Sequence, residues 1–163
     1  MINKNKISVL VKNPKFQIFS AVFICIAAVY AMVYLDVVSR AREAYLEGEK
    51  YLSWHENPSQ KKEYLDAELD ERLKALKKEL ERGRISSEEY ADKVDIAKFD
   101  YERNMEESSI KYAYIWYQTV VELFTPPESK WVKKSRVKMT AAKELWKQEL
   151  KNKNIPFEDY MLE

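Results

Sequence analysis

The hydrophobic positions of this chain form one uninterrupted run near the N-terminus and several helical stripes after it. Residues 16–35 contain no charged side chain. About twenty helical residues cover roughly 30 Å, the thickness of the hydrocarbon core of a bilayer. The run therefore predicts a transmembrane helix at residues 16–38. The apolar residues assigned to this anchor are Phe16, Phe19, Phe23, Ile24, Val29 and Leu35.

A cleaved signal peptide is the alternative interpretation of the same run. Val29, Tyr30 and Ala31 form a passable cleavage pattern after a basic N-terminal stretch. The uncharged run is, however, longer than the apolar region of a signal peptide, which usually has about 7–15 residues. An uncleaved signal-anchor is therefore the preferred interpretation.

The charges on either side of the run predict its orientation. The N-terminal flank has no acidic residue, and its lysines are Lys4, Lys6, Lys12 and Lys15. The other flank mixes basic residues with acidic ones over positions 36–50. Because positive charges favour the cytoplasmic side, we expect residues 1–15 in the cytoplasm and the bulk of the chain outside it. In a bacterium this arrangement is an inner-membrane protein with a periplasmic domain.

Beyond the anchor, apolar residues recur at three- and four-residue steps, which predicts an all-α extracytoplasmic domain at 39–154 and a tail at 155–163. The chain has only 2 glycines and 34% charged residues, a composition typical of long helices with few turns. The helices are predicted at about 39–54, 58–82, 87–124 and 126–152. The first of them is expected to continue directly from the membrane helix.

A narrow leucine seam in the second predicted helix requires a partner helix. Its members are Leu65, Leu69, Leu73, Leu76 and Leu80. The short connection that follows, with Gly83 at the helix end and a capping box from Ser86 to Glu89, predicts the third helix as an antiparallel neighbour. Ile96 and Phe99 are expected to widen the facing surface of that helix. A homo-oligomer, formed as in coiled coils, would satisfy the same seam.

Residues 110–125 are apolar almost all round a helix, which predicts the most buried part of the domain. The alternative is that their aromatic side chains bind a partner. Thr125 is expected to cap the last helix, with Pro126 and Pro127 in its first turn and Glu128 at the capping-box position. The aromatic candidates for helix packing or a partner interface are Tyr112, Trp116, Phe124, Trp131 and Trp146.

Residues 108–151 resemble one helix-turn-helix unit of tetratricopeptide (TPR) proteins. The resemblance lies in the apolar first helix, the prolines at the turn, and the tryptophan and alanine pair of the second helix. These residues are Tyr117, Val121, Leu123, Phe124, Pro126, Pro127, Trp131, Ala141 and Ala142. It implies TPR-like helical hairpins that stack and bind other proteins.

No catalytic, cofactor or metal site is predicted. His55 is the single histidine, and Cys25, the single cysteine, lies within the apolar run, where a thiol is inert. Two glycines leave no basis for a phosphate-binding loop. The net charge of +1 argues against nucleic-acid binding, although residues 39–109 are acidic overall and 126–154 are basic.

These patterns predict a membrane-anchored scaffold or adaptor that is not an enzyme, needs no cofactor and binds other proteins of the cell envelope. Its anchor would contact membrane lipid. The alternative is an accessory single-span subunit of a larger respiratory, secretion or motility complex. We expect an adaptor to stay folded when isolated, whereas an accessory subunit would lose order without its neighbours.

Overall fold

The computed structural model describes residues 14–162, so nearly all of the predicted cytoplasmic segment 1–15 lies outside the described residues. The described residues form helices joined by short connections and contain no strand, which confirms the all-α class. Its elements are α1 (Pro14–Glu56), α2 (Pro58–Glu81), α3 (Ser87–Glu106), α4 (Ser109–Leu123), α5 (Lys130–Asn152) and a 3₁₀ turn (Asp159–Leu162).

Helix α1 runs without interruption from the apolar run into the folded part of the chain. Its 43 residues include a stretch that is long and apolar enough to cross a membrane. Every large apolar side chain between positions 16 and 35 is exposed, including all six assigned to the anchor. The second half of α1 instead buries Ala41, Ala44, Tyr45, Gly48 and Trp54. One helix therefore has an uncovered apolar half and a half that belongs to a core.

The second half of α1, α4 and α5 together form the three-helix unit that we call the body. Helix α4 packs against both others, and Ile110, Ala113, Tyr117 and Val120 on it are fully buried. The Tyr45 ring of α1 lies 5.9 Å from the Tyr117 ring, measured between centroids. The burial predicted for residues 110–125 is thereby confirmed for the inward face of α4.

Helices α2 and α3 form an antiparallel hairpin, which we call the arm, and it meets the body mainly where α2 leaves α1. Leu65 is buried between the helices, and the other four seam leucines are partly buried. Gly83 turns the chain with φ of 64°, and its N–H donates to the carbonyl of Leu80. The predicted capping box is confirmed, because Ser86 and Glu89 exchange both of its hydrogen bonds.

The prediction of one helix over 87–124 is wrong, because the chain breaks between α3 and α4. The ammonium of Lys61 donates to the carbonyl oxygens of Met105 and Glu107, at 3.1 and 2.7 Å. Ser108 then starts α4 by accepting a hydrogen bond from the Lys111 N–H. A cation from α2 thus satisfies carbonyls that a continuing helix would have used.

The predicted start of the last helix at Thr125 is also wrong. Helix α5 begins at Lys130, and the Ser129 hydroxyl caps it by accepting from the Val132 N–H at 3.3 Å. Pro126 and Pro127 lie in the connection, each after a cis peptide bond. A residue that precedes proline is disfavoured in the α conformation, so a Pro-Pro pair delays the helix start.

One further expectation needs correction. Ile96 and Phe99 do not face the leucine seam but are 55% and 64% exposed on the arm. The predicted tail is attached to α5, because Lys147 pairs with Asp159 at 2.9 Å and Leu162 is buried.

Candidate functional site

A carboxylate from α1 joins all three helices of the body. Oε1 of Glu49 accepts a 2.5 Å hydrogen bond from the hydroxyl of Tyr117 on α4. Lys138 on α5 lies 3.0 Å from the same oxygen and donates to Oε2 at 3.2 Å. Burial alone would raise the pKa of Glu49, but the hydrogen bonds from Tyr117 and Lys138 outweigh it and lower that pKa. Burial, reinforced by the Glu49 carboxylate, raises the pKa of Tyr117.

These pKa directions leave Glu49 ionised and Tyr117 protonated at neutral pH. Neither group is poised to exchange a proton near pH 7, as a general acid or base would need to be. The cluster therefore holds α1, α4 and α5 together by a charge-assisted hydrogen bond and an ion pair.

Gly48 allows the Tyr117 ring to approach α1 closely. A Cβ atom at position 48 would lie 2.6 Å from Cε1 of that ring, far inside van der Waals contact. The glycine is needed here for space, since its φ is unexceptional. This close approach brings the Tyr117 hydroxyl within reach of Glu49, the residue that follows Gly48.

A second cluster lies at the base of the arm, where α1, α2 and α4 meet. The Tyr51 ring is 5.0 Å from Trp54 and stacks at 5.3 Å on Tyr112, while Trp54 lies 5.1 Å from Tyr64. The Lys50 ammonium lies 5.0 to 5.7 Å from the centroids of three of these rings, those of Tyr51, Trp54 and Tyr64. Its contact with three rings is a cation–π arrangement that links α1 to α2.

The aromatic cluster borders a cavity of about 240 Å³. Lys61 and Glu107 lie on its polar side, and the hydroxyl of Tyr112 donates to Glu107 at 2.6 Å. That hydrogen bond, with burial, raises the pKa of Tyr112 to about 12. Because Lys50 already provides the cation for these rings, the cluster acts as an internal connection between body and arm.

A third feature, which we call the groove, lies between α1 and α4 on the side nearest the apolar run. It is open, encloses about 680 Å³, and is bordered by Arg40, Leu46, Trp116 and Phe124 among others. Leu46 is exposed at its edge, and Trp116 and Phe124 are half-buried. The groove therefore brings apolar and charged lining residues side by side.

The candidate residues from the sequence are distributed over several places. The leucines lie within the arm, Tyr112 at its base, and Trp116 and Phe124 in the groove. Trp131 and Trp146 are both on α5 and pack inside the body, where Trp131 lies 5.4 Å from Tyr45 of α1 and Trp146 lies 5.7 Å from Tyr114 of α4. The sequence reasoning missed the residues that connect the arm, namely Lys50, Tyr51, Trp54, Lys61 and Tyr64. The aromatic residues on both sides of the break at 56–58 were the available signal.

Within residues 14–162, no group of three His, Cys, Asp or Glu side chains is placed to hold a metal ion. His55 borders a shallow pocket beside Glu149 and Lys153 at the end of α1. Cys25 is exposed on the apolar half of α1.

No protein-family model matches the chain, and no curated protein or solved structure matches it significantly.

Proposed function

We propose that the protein is a non-catalytic, membrane-anchored scaffold or adaptor that presents a protein-binding arm at a fixed distance from the bilayer. The observation that carries this proposal is the continuity of α1, whose exposed apolar half leads directly into the half that forms the body. No turn separates the two halves, so the position of the span determines the position of the body.

The arm supports the protein-binding part of the proposal. It extends from the body as two helices of 24 and 20 residues, about 36 and 30 Å long. Ile96 and Phe99 lie three residues apart on α3, on one face of the helix, and are both exposed. Large exposed apolar side chains on a protruding element favour contact with another protein.

The proposed topology has the N-terminus in the cytoplasm and the body and arm outside it. A reporter fused after residue 163 tests this, and we expect it to score as extracytoplasmic. A cytoplasmic score would refute the orientation. Whether the chain is embedded in the membrane at all is tested separately, by asking whether detergent is needed to extract it.

The proposed binding surface is tested by cross-linking in native membranes, with the wild-type chain compared with Ile96→Asp/Phe99→Asp. We expect the double variant to lose its cross-linked partner bands while keeping its helical content. Asp92→Asn/Lys98→Gln serves as a matched control on the same helix and should retain them. Equal cross-linking by both variants would place the partner surface elsewhere.

The arm consists of only two helices with an incompletely buried seam, which favours the second candidate, an accessory subunit of a larger membrane complex. Four of its five seam leucines remain partly accessible, so a neighbouring subunit could complete their burial. Hydrogen exchange on the purified chain in mild detergent separates the two candidates. Protected amides in α2 and α3 favour the adaptor, and rapid exchange confined to the arm favours the subunit.

A TPR-like unit remains part of the proposal for residues 108–151. The hydroxyl of Ser108 donates to Glu149 at 2.6 Å, and Tyr114 packs on Trp146, so α4 and α5 run antiparallel as such a unit requires.

A further inference from the structure

The end of α4 that faces the apolar run is the part of the body nearest to the proposed membrane. Helix α4 runs antiparallel to α1, because Tyr112 near its start stacks on Tyr51 whereas Phe124 after its end borders a groove with Arg40. Arg40 follows Leu35 by five residues, which corresponds to about 8 Å along a helix axis. The chain between α4 and α5 therefore lies just beyond the hydrocarbon boundary.

This distance is within reach of the lipid headgroups. The headgroup layer adds about 5–7 Å to each side of the hydrocarbon core. Packed helices lie about 8–10 Å apart, and spans tilt by about 20° on average. If the span tilts toward α4, the C-terminal end of α4 moves about 3 Å closer to the bilayer. This movement places Leu123 at the headgroup layer.

The side chains at this end have the chemistry of an interfacial contact. Leu123 is 72% exposed, and Pro126 is exposed beside it. The first turns of α5 then present Lys130, Lys133 and Lys134, which we call the lysine triad. All three are exposed, and none forms an ion pair with a carboxylate among the described residues.

Two triad members are held in place by an aromatic ring, since Lys130 and Lys134 lie 4.7 and 5.5 Å from the centroid of Trp131. Arg136, one turn further along, differs because Glu128 neutralises it at 2.7 Å. The positive charge of this surface is thus concentrated at the end of α5 nearest the apolar run.

We infer that this end of the body, formed by Leu123, the Pro-Pro connection and the lysine triad, docks on anionic lipid headgroups of the bilayer that holds α1. The inference rests on the proposed membrane span. Leu123 enters the interface, and the triad attracts lipid phosphates from within about one Debye length, roughly 8–10 Å. The arm is then held on the side of the body away from the lipid.

The test uses the full chain reconstituted in vesicles, with one fluorescent label per molecule. In a Cys25→Ser background, Leu123→Cys carries an environment-sensitive nitrobenzoxadiazole label, and quenching is measured with a headgroup spin-labelled lipid. Val137→Cys in the same background is the matched control, because Val137 is 74% exposed on α5 but lies at the level of Lys138 and Glu49, further from the apolar run. Vesicles contain phosphatidylcholine alone or equal amounts of phosphatidylcholine and phosphatidylglycerol.

We expect the label at position 123 to be quenched more strongly in the phosphatidylglycerol vesicles, and the label at 137 to be quenched weakly in both. Each lysine near an anionic surface shifts the docked to undocked ratio about fivefold, so Lys130→Gln/Lys133→Gln/Lys134→Gln should lower that ratio about a hundredfold. Lys62→Gln/Lys77→Gln/Lys98→Gln removes the same charge from the arm and should leave the quenching unchanged. Raising the salt to about 1 M, where the Debye length is about 3 Å, should also weaken the docking.

A label on the native Cys25, read with a lipid spin-labelled deep in its acyl chain, reports the span independently. Quenching at 25 together with weak quenching at 123 overturns the docking and leaves the span standing; it would indicate that this surface faces a protein. Absence of quenching at 25 overturns both. Equal quenching by the two triple variants would show that the triad has no role and refute the inference.

Discussion

The Tyr117 hydroxyl and the Glu49 carboxylate meet at 2.5 Å although they lie 68 residues apart in the chain. Lys138 binds the same carboxylate from the third helix, 89 residues beyond Glu49. Three helices of the body therefore converge on one ionised group, and the stability of the body should depend on it.

Replacing Tyr117 by Phe removes the hydroxyl but keeps the buried ring. A hydrogen bond to a charged group contributes about 1.5–3 kcal/mol, and the partial exposure of Glu49 places the expected loss toward the lower value. We expect the midpoint of thermal unfolding, followed by circular dichroism, to fall by several degrees. Tyr160→Phe, at an exposed position, should leave it unchanged. An equal midpoint for wild type and Tyr117→Phe would show that the contact contributes nothing.

Replacing Gly48 by Ala places a methyl group where the Tyr117 ring lies. We expect a loss of about 1–3 kcal/mol, the usual cost of overpacking a close helix contact. Denaturant titration measures it. If the cause is this clash, Tyr117→Leu should make the additional Gly48→Ala change much less costly than it is in the wild type. Additive losses would assign the effect to another neighbour of position 48, because the higher helix propensity of alanine acts in the opposite direction.

The pH dependence of stability follows from the lowered pKa of Glu49. A carboxyl with a lower pKa in the folded state contributes stability above its ordinary value of 4.5, and this contribution is lost as pH falls through the folded-state pKa. Below about pH 4.5, we expect the unfolding free energy of Glu49→Gln to decrease less steeply with falling pH than that of the wild type. Denaturant titration at each pH measures both. Glu63→Gln, at an exposed site, is the control. A parallel pH profile for Glu49→Gln and wild type would contradict this.

The break between α3 and α4 should depend on a residue of α2. Lys61→Met removes the ammonium that binds the carbonyls of Met105 and Glu107 and leaves those carbonyls less well satisfied. We expect faster hydrogen exchange over residues 105–111 in the variant, whereas Lys62→Met, one residue further on, should match wild type. Unchanged exchange in Lys61→Met would mean that Ser108 alone maintains the break.

The two tryptophans of the body should respond differently to truncation. Trp146 packs on Tyr114, so Trp146→Ala should lower the melting midpoint by several degrees. Trp116 borders the open groove, and Trp116→Ala should cost less stability in detergent. A larger effect at Trp116 would place the more important packing contact at the groove.

Local sequence signals were sufficient for some of these elements. Ser86 and Glu89 specify a helix start through neighbouring residues alone, and the seam leucines specify a paired helix by their spacing. The uncharged run likewise specifies, by its length and composition, a helix long and apolar enough to cross a membrane. Each of these features depends on residues within a few turns of one another.

The missed features depend on residues far apart in the chain. Nothing around Ser108 marks a break strongly, because the group that stabilises it, Lys61, belongs to another helix. Ile96 and Phe99 fit an apolar face by spacing, but only the packing of two helices shows that the seam is already filled without them. Lys50 and its three rings come from both sides of the turn at Asn57 and are brought together by the direction of α2.

Helix α1 also acts as a rigid lever, because the helix continues without a break between Leu35 and Glu56. The distance between those residues is about 30 Å, so in the proposed topology a change of 10° in the tilt of the span would displace the base of the arm by about 5 Å. Bilayer thickness influences the tilt of such spans. A residue inserted between Leu35 and Ala41 would also rotate everything beyond it by about 100° around the helix axis and turn the lysine triad toward a different side.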